Sequence, residues 1–85
     1  MEQEQVNFDD DFTGLRLPLN DLVELRVCEK EYRGERRIDM RIWRLKRSRV
    51  NSQYYFMPTK AGVFVEISRW RDEILPYLIK LAEDD

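Results

Sequence analysis

Two runs that alternate at the period of a β-strand, joined across a single glycine, constrain this chain more than any other feature. In VELRVCEKEYR, Val23, Leu25 and Val27 point one way, and Glu24, Arg26, Cys28, Lys30 and Tyr32 the other. Residues two apart share a face of a strand, so this run reads as a half-buried strand. Gly34 supplies a turn, and RRIDMRIWRLKR resumes the alternation, with Ile38, Met40 and Ile42 opposed to Arg37, Asp39, Arg41 and Trp43. The pair is predicted to form an antiparallel hairpin. After the polar stretch Ser48 to Ser52, Tyr54, Tyr55 and Phe56 read as a third strand; Pro58 and Gly62 bracket a bend before a fourth, with Val63, Val65 and Ile67 facing inward. The preceding TGLRLPLND is expected to be an extended lead-in, since Pro18 excludes a central strand.

A helix is predicted from about residue 69 to 82, with Ser68 as its N-cap and Asp72 and Glu73 near its positive end. Trp70, Ile74, Tyr77, Leu78 and Leu81 form one apolar stripe, expected to cover the inner face of the sheet. Leu75, Ile79 and Ala82 form a second stripe that a chain this short has nothing left to bury, so they are assigned to a dimer interface. Pro76 predicts a bend or a late start. The fold class is therefore α+β, four strands followed by one C-terminal helix (β-β-β-β-α), as a homodimer.

A core built from 85 residues contributes only about 3–5 kcal/mol without a further device. There is no histidine, and Cys28 is the one cysteine, which excludes an internal disulfide and points to no zinc site. Dimerisation is the device left. The sequence opens without the basic and apolar regions of a signal peptide, and no apolar run approaches a membrane span, so a soluble, cytoplasmic protein is expected, nucleoid-associated if bacterial. The formal net charge of -2 conceals a division along the chain. Residues 1–12 carry five acids and no base, and are expected to be a disordered acidic tail ahead of a single domain at 13–85. Residues 26–60 carry eleven bases against four acids. Because screening limits each charge to about 10 Å, that basic middle acts as a local positive field.

If Ile38, Met40 and Ile42 are covered by the helix, then Arg26, Lys30, Tyr32, Arg37, Arg41, Trp43 and Phe64 share the open face. Cations that follow phosphates, interleaved with rings on which unpaired bases stack, are what single-stranded nucleic acid requires. Arg33, Arg36, Arg44, Lys46, Arg47, Arg49 and Lys60 would widen the phosphate track. The competing interpretation makes the cations a solvated face and packs the rings against a dimer mate. An enzyme is not expected: histidine is absent, no Ser-His or Cys-His pair exists, and no Gly-rich phosphate loop occurs. No cofactor or metal is expected either, and Asp39, between Arg37 and Arg41 on its face, reads as a salt-bridge partner.

The stretch from Tyr32 to Trp43, YRGERRIDMRIW, resembles the aromatic-basic-Gly, Ile-Asp-Ile-Arg, aromatic signature of the transcriptional coactivator family typified by positive cofactor four. Pro58 to Trp70, PTKAGVFVEISRW, is similar to that family's basic-Gly turn into its last strand, with a tryptophan eight residues after the glycine. With the four strands and one helix around them, the two segments extend the resemblance over roughly residues 23–81, most of the chain. It implies a dimer of curved β-ribbons, helices at the subunit interface, and binding of single-stranded or unwound DNA with little sequence preference; the residues themselves leave RNA open as the ligand. Position by position it makes Tyr32 the stacking ring, Arg33 and Arg41 phosphate or base contacts, and Lys60 the basic residue of the turn. Glu35 and Ala61 stand where the family has lysines, and Arg44 where it has a stacking tryptophan; Trp43, one position earlier, alternates to the other face. The expected function is sequence-nonspecific single-stranded DNA binding in transcription, replication or repair. The alternative is a protein-interaction module whose basic face docks an acidic partner of the transcription machinery. The acidic tail, with Asp9, Asp10 and Asp11, is also a candidate competitor for the basic face.

Overall fold

A computed structural model describes residues 12–84. Most of the expected tail, including Asp9, Asp10 and Asp11, lies outside the described residues, as does Asp85. Four strands, β1 (Leu15–Asn20), β2 (Val23–Tyr32), β3 (Glu35–Arg47) and β4 (Tyr54–Glu66), form one curved antiparallel sheet in the order β1-β2-β3-β4. Helical structure follows from Ile67 to Glu83, which makes the fold α+β.

The β2–β3 hairpin pairs Tyr32 with Glu35, Arg26 with Arg41 and Glu24 with Trp43. Its two-residue turn has positive φ at both central positions, 53° at Arg33 and 82° at Gly34, the mirror-image turn whose twist matches that of paired strands.

The strand count agrees with expectation, but the strands are not the same four. The lead-in before residue 22 is itself β1, an edge strand in which Pro18 is tolerated because no further strand needs its missing N–H. The third and fourth predicted strands are one strand, β4, that runs through Pro58 and Gly62 without ending. The expected bend is instead a bulge. Between the pairs Trp43↔Pro58 and Arg41↔Gly62, Thr59, Lys60 and Ala61 of β4 oppose Ile42 alone. Thr59 closes it: its hydroxyl donates to the Ile42 carbonyl (2.8 Å) and accepts from the Ala61 N–H (3.1 Å), while its own carbonyl accepts from Arg41 Nη1 (3.0 Å). Gly62 then lies so close to β3 that a Cβ there would sit 2.5 Å from the Met40 carbonyl oxygen.

The helix departs from expectation in two respects. It begins at Ile67 rather than after Ser68; Glu66 takes the N-cap position, without a side-chain capping bond. After α1 (Ile67–Arg69), the turn Trp70–Ile74 is π-helical, and α2 (Leu75–Glu83) continues from it. The Leu75 N–H donates to the Trp70 carbonyl five residues back. Pro76 therefore falls in the first turn of α2, directly after the widened turn.

The π turn shifts the phase of the predicted stripe, but α2 fails to cover the sheet for a further reason, since its residues are exposed on every side. One extra residue per turn rotates everything downstream by about 100° relative to an unbroken α-helix. Trp70 is buried and Ile74 half-buried, but Tyr77, Leu78 and Leu81 are exposed along with Leu75, Ile79 and Ala82. On the sheet, Leu15 and Leu17 are exposed, and none of Leu25, Val27, Ile38, Met40, Ile42, Val63 and Val65 is fully buried. Among the described residues, Trp43 and Trp70 are the only buried hydrophobic side chains. The face expected to be the core is half open.

Because the atoms a Gly62 Cβ would meet are backbone, Gly62→Ala is expected to cost about 1–3 kcal/mol. Urea denaturation of the two proteins, compared at their midpoints, measures this.

Candidate nucleic-acid interface

Strand register brings the predicted residues to one face in cross-strand rows. Arg16, Arg26, Arg41 and Gly62 form one row; Cys28, Asp39 and Phe64 another; Lys30, Arg37 and Glu66 a third. The neighbouring row is Pro18, Glu24, Trp43 and Pro58. Three arginines directly opposite one another would repel, and two carboxylates on the adjacent rows remove the conflict.

Glu24 is the first. Arg16 grips it with Nε and Nη2, both at 3.1 Å, while Arg26 Nε donates to its Oε1 at 2.8 Å. Burial opposes ionisation of Glu24, but the hydrogen bonds and charges of Arg16 and Arg26 outweigh it and hold the carboxyl below its ordinary pKa. Asp39 is the second carboxylate: Arg41 Nε donates to it at 3.0 Å, and Lys30 Nζ stands 3.6 Å away. Its expected role as a salt-bridge partner is what the geometry displays.

Arg26 is 1% exposed, which removes it from the set of residues able to meet a phosphate. Its guanidinium carbon lies 4.1 Å from the Trp43 ring centre, 4.9 Å from Phe12 and 5.3 Å from Phe56. Phe12 meets Trp43 edge to face at 5.6 Å. Trp43, 6% exposed, is therefore a wall of this cage and not a free stacking surface. Arg44 is also displaced: it pairs with Val23 and Met57 and so alternates to the opposite face from Arg41. Lys60 is exposed on the β4 bulge. Alternation identified who shares the face, but not who covers it. Phe12, Arg16 and Phe56 were missed, although the alternation of Arg16 between Leu15 and Leu17 was a signal for one of them.

The accessible part of the face lies at the β2–β3 turn. Tyr32, 44% exposed, meets Phe64 edge to face at 5.7 Å. The guanidinium carbons of Arg33 and Arg37 stand 5.4 Å and 5.2 Å from its ring centre. Arg37 is steered there by Glu35, which accepts from Nη2 at 2.9 Å, and by the Phe64 carbonyl, 3.3 Å from Nη1. Arg36, on the other face, is bound to Glu29. An exposed ring with two guanidinium groups near it offers a stacking surface and cations for an anion beside it.

No family model, curated protein or solved structure matches the chain. The chemistry available is thus to be read from the side chains. Half-buried Cys28 has its thiol pushed up by burial, against the influence of Lys30 and with that of Asp39, which disfavours the reactive thiolate. Among the described residues no group of His, Cys, Asp and Glu could hold a metal ion, and no helix is long and apolar enough to cross a membrane.

Replacing Glu24 by Gln takes a carboxylate away from the buried Arg26 guanidinium and from Arg16, and is expected to destabilise the fold by about 3 kcal/mol at neutral pH. The folded pKa of Glu24 is depressed, so its contribution is complete above the unfolded value of about 4.3 and is lost as pH falls through the folded value. The stability gap between wild type and variant should therefore close on acidification, as measured by denaturant titrations at neutral and acidic pH.

Proposed function

We propose that the protein binds single-stranded nucleic acid without sequence specificity, as a homodimer, and serves a process that exposes single strands, such as transcription, replication or repair. One observation carries this reading: the exposed Tyr32 ring at the end of the sheet, with the guanidinium groups of Arg33 and Arg37 near it. A base stacks on such a ring whatever its identity, and the flanking cations take phosphates, so affinity without sequence preference follows from the chemistry. The resemblance of the YRGERRIDMRIW segment to the coactivator family agrees with this reading. DNA is the ligand proposed, with RNA stacking by the same means. The site residues proposed are Lys30, Tyr32, Arg33, Arg37, Arg41 and Lys60; Arg26 and Trp43 support them from beneath.

The dimer is supported by the apolar surface that one chain leaves uncovered. Leu15, Leu17, Leu19 and Val63 on the sheet, and Leu75, Tyr77, Leu78, Ile79 and Leu81 on the helix, are all exposed. Isolated chains rarely carry so many exposed apolar side chains, and a second copy, with the same need, is the simplest cover. The interface proposed is broader than Leu75, Ile79 and Ala82 and takes in both helical stripes.

Fluorescence anisotropy with labelled oligo-dT, competed by duplex of equal length, should reveal single-strand preference. The logarithm of affinity should fall linearly with that of salt, by about 0.7 per phosphate neutralised. Tyr32→Ala should cost about 1–3 kcal/mol of binding. No binding at low salt would sink the proposal and favour an acidic protein partner for the basic face. Sedimentation equilibrium should give twice the chain mass, and Ile79→Glu should reduce it to one.

A further inference from the structure

The strongest unneutralised charge in the fold lies at the other end of β3, away from Tyr32. From Met40 to Val65 the chain has no acidic residue, while Arg41, Arg44, Lys46, Arg47, Arg49 and Lys60 all fall within it. Arg41 is taken by Asp39, but Arg44, Lys46, Arg47, Arg49 and Lys60 make no ion pair with any described residue. This contrasts with the middle of the face, where Arg16, Arg26, Lys30 and Arg37 each have a carboxylate.

The β3–β4 turn gathers part of this charge around an open surface pocket of about 310 Å³, lined by Arg47, Ser48, Arg49 and Ser52. That volume is at the small end for ligand sites. The loop is held in shape by its own bonds. Ser48 N–H donates to the Gln53 carbonyl (2.8 Å), Ser52 N–H to the Ser48 carbonyl (3.1 Å), and the buried Ser48 hydroxyl accepts from the Val50 N–H (3.1 Å). Asn51 Oδ1 accepts from the Gln53 N–H at 3.0 Å, and Ser52 is placed in the left-handed region at φ 61°. A cradle already formed loses little entropy on binding. Next to it, Tyr54 pairs with Arg47 on the same face as Tyr32 and is 64% exposed.

We infer that this pocket is a phosphate site, in which Arg47 and Arg49 bind a phosphate group of a polynucleotide while Tyr54 offers its ring to the adjoining base. Guanidinium groups suit this because their donors match phosphate oxygens two at a time. The ligand class rests on the single-strand reading above, but the site is a separate one. The thirteen residues of β3 place it about 40 Å from Tyr32 along an extended strand, so one polynucleotide chain would engage both ends.

The test follows the backbone amides of residues 47–53 by NMR during titration with short oligo-dT carrying or lacking a 5′-phosphate, with inorganic phosphate and with poly-glutamate. Wild type, Arg47→Ala/Arg49→Ala and Tyr32→Ala are compared, and circular dichroism checks that each is folded. The phosphorylated oligonucleotide should shift the loop amides and bind about tenfold more weakly to the double variant. The salt slope should fall by about 0.7 for each phosphate that the variant no longer neutralises. Binding that depends on Tyr32 but leaves the loop amides unmoved would overturn the inference while leaving the single-strand reading intact. Loop shifts with phosphate and phosphorylated oligonucleotide, in a protein indifferent to Tyr32→Ala, would support the inference and remove Tyr32 from the site. Shifts with poly-glutamate alone would overturn it in favour of a carboxylate-bearing partner.

Discussion

The Arg26 guanidinium, closed off from solvent among Trp43, Phe12 and Phe56 and bound to Glu24, is the constraint on which the rest of the sheet depends. A buried cation is tolerated only with a counter-charge and with polarizable surfaces against its faces. Meeting that condition draws in β1 through Arg16, the chain before it through Phe12, β3 through Trp43 and β4 through Phe56. One charged group therefore ties the described N-terminal residues to all four strands. Its burial reverses the usual assignment of faces: the polar side is the better covered, and the apolar side is left half open.

That reversal has a functional consequence. Glu24 and Asp39 neutralise much of the centre of the polar face, so that outward positive charge there falls mainly to Lys60 on the β4 bulge, while each end of the β3 ladder carries its own basic group. At one end an aromatic residue has arginines near it; at the other an acid-free turn holds its own basic pocket. The centre connects the two proposed sites along one sheet. The apolar side, joined by a helix whose outward surface is also apolar, is free to become an interface.

Much of this was legible in the residues. Period-two alternation identified β2 and β3, and which of their side chains share a face, because a strand has only two sides. The Arg33-Gly34 turn was readable from Gly34. What was not legible were the events that need a partner from elsewhere in the chain. Pro18 excluded a central strand, and its edge position agrees; Pro58 looked like a bend, yet it lies next to a bulge within one strand, a position known only once neighbours are assigned. The helical stripe from Trp70 to Leu81 was sound as a pattern, but α2 has no sheet beneath it and is exposed on every side, which local periodicity does not reveal.

The sequence by itself determined the strand pattern, the hairpin and the separation of apolar from polar residues, since these follow from local alternation and from one glycine's freedom at positive φ. Tertiary structure alone decided which cations stay available. Arg26, Arg41 and Arg47 look alike in a basic run, but one is buried in a cage, one is held by a carboxylate beside it, and one is left unpaired. The difference arises from which residues lie across the sheet, a property of register and packing that no single strand carries.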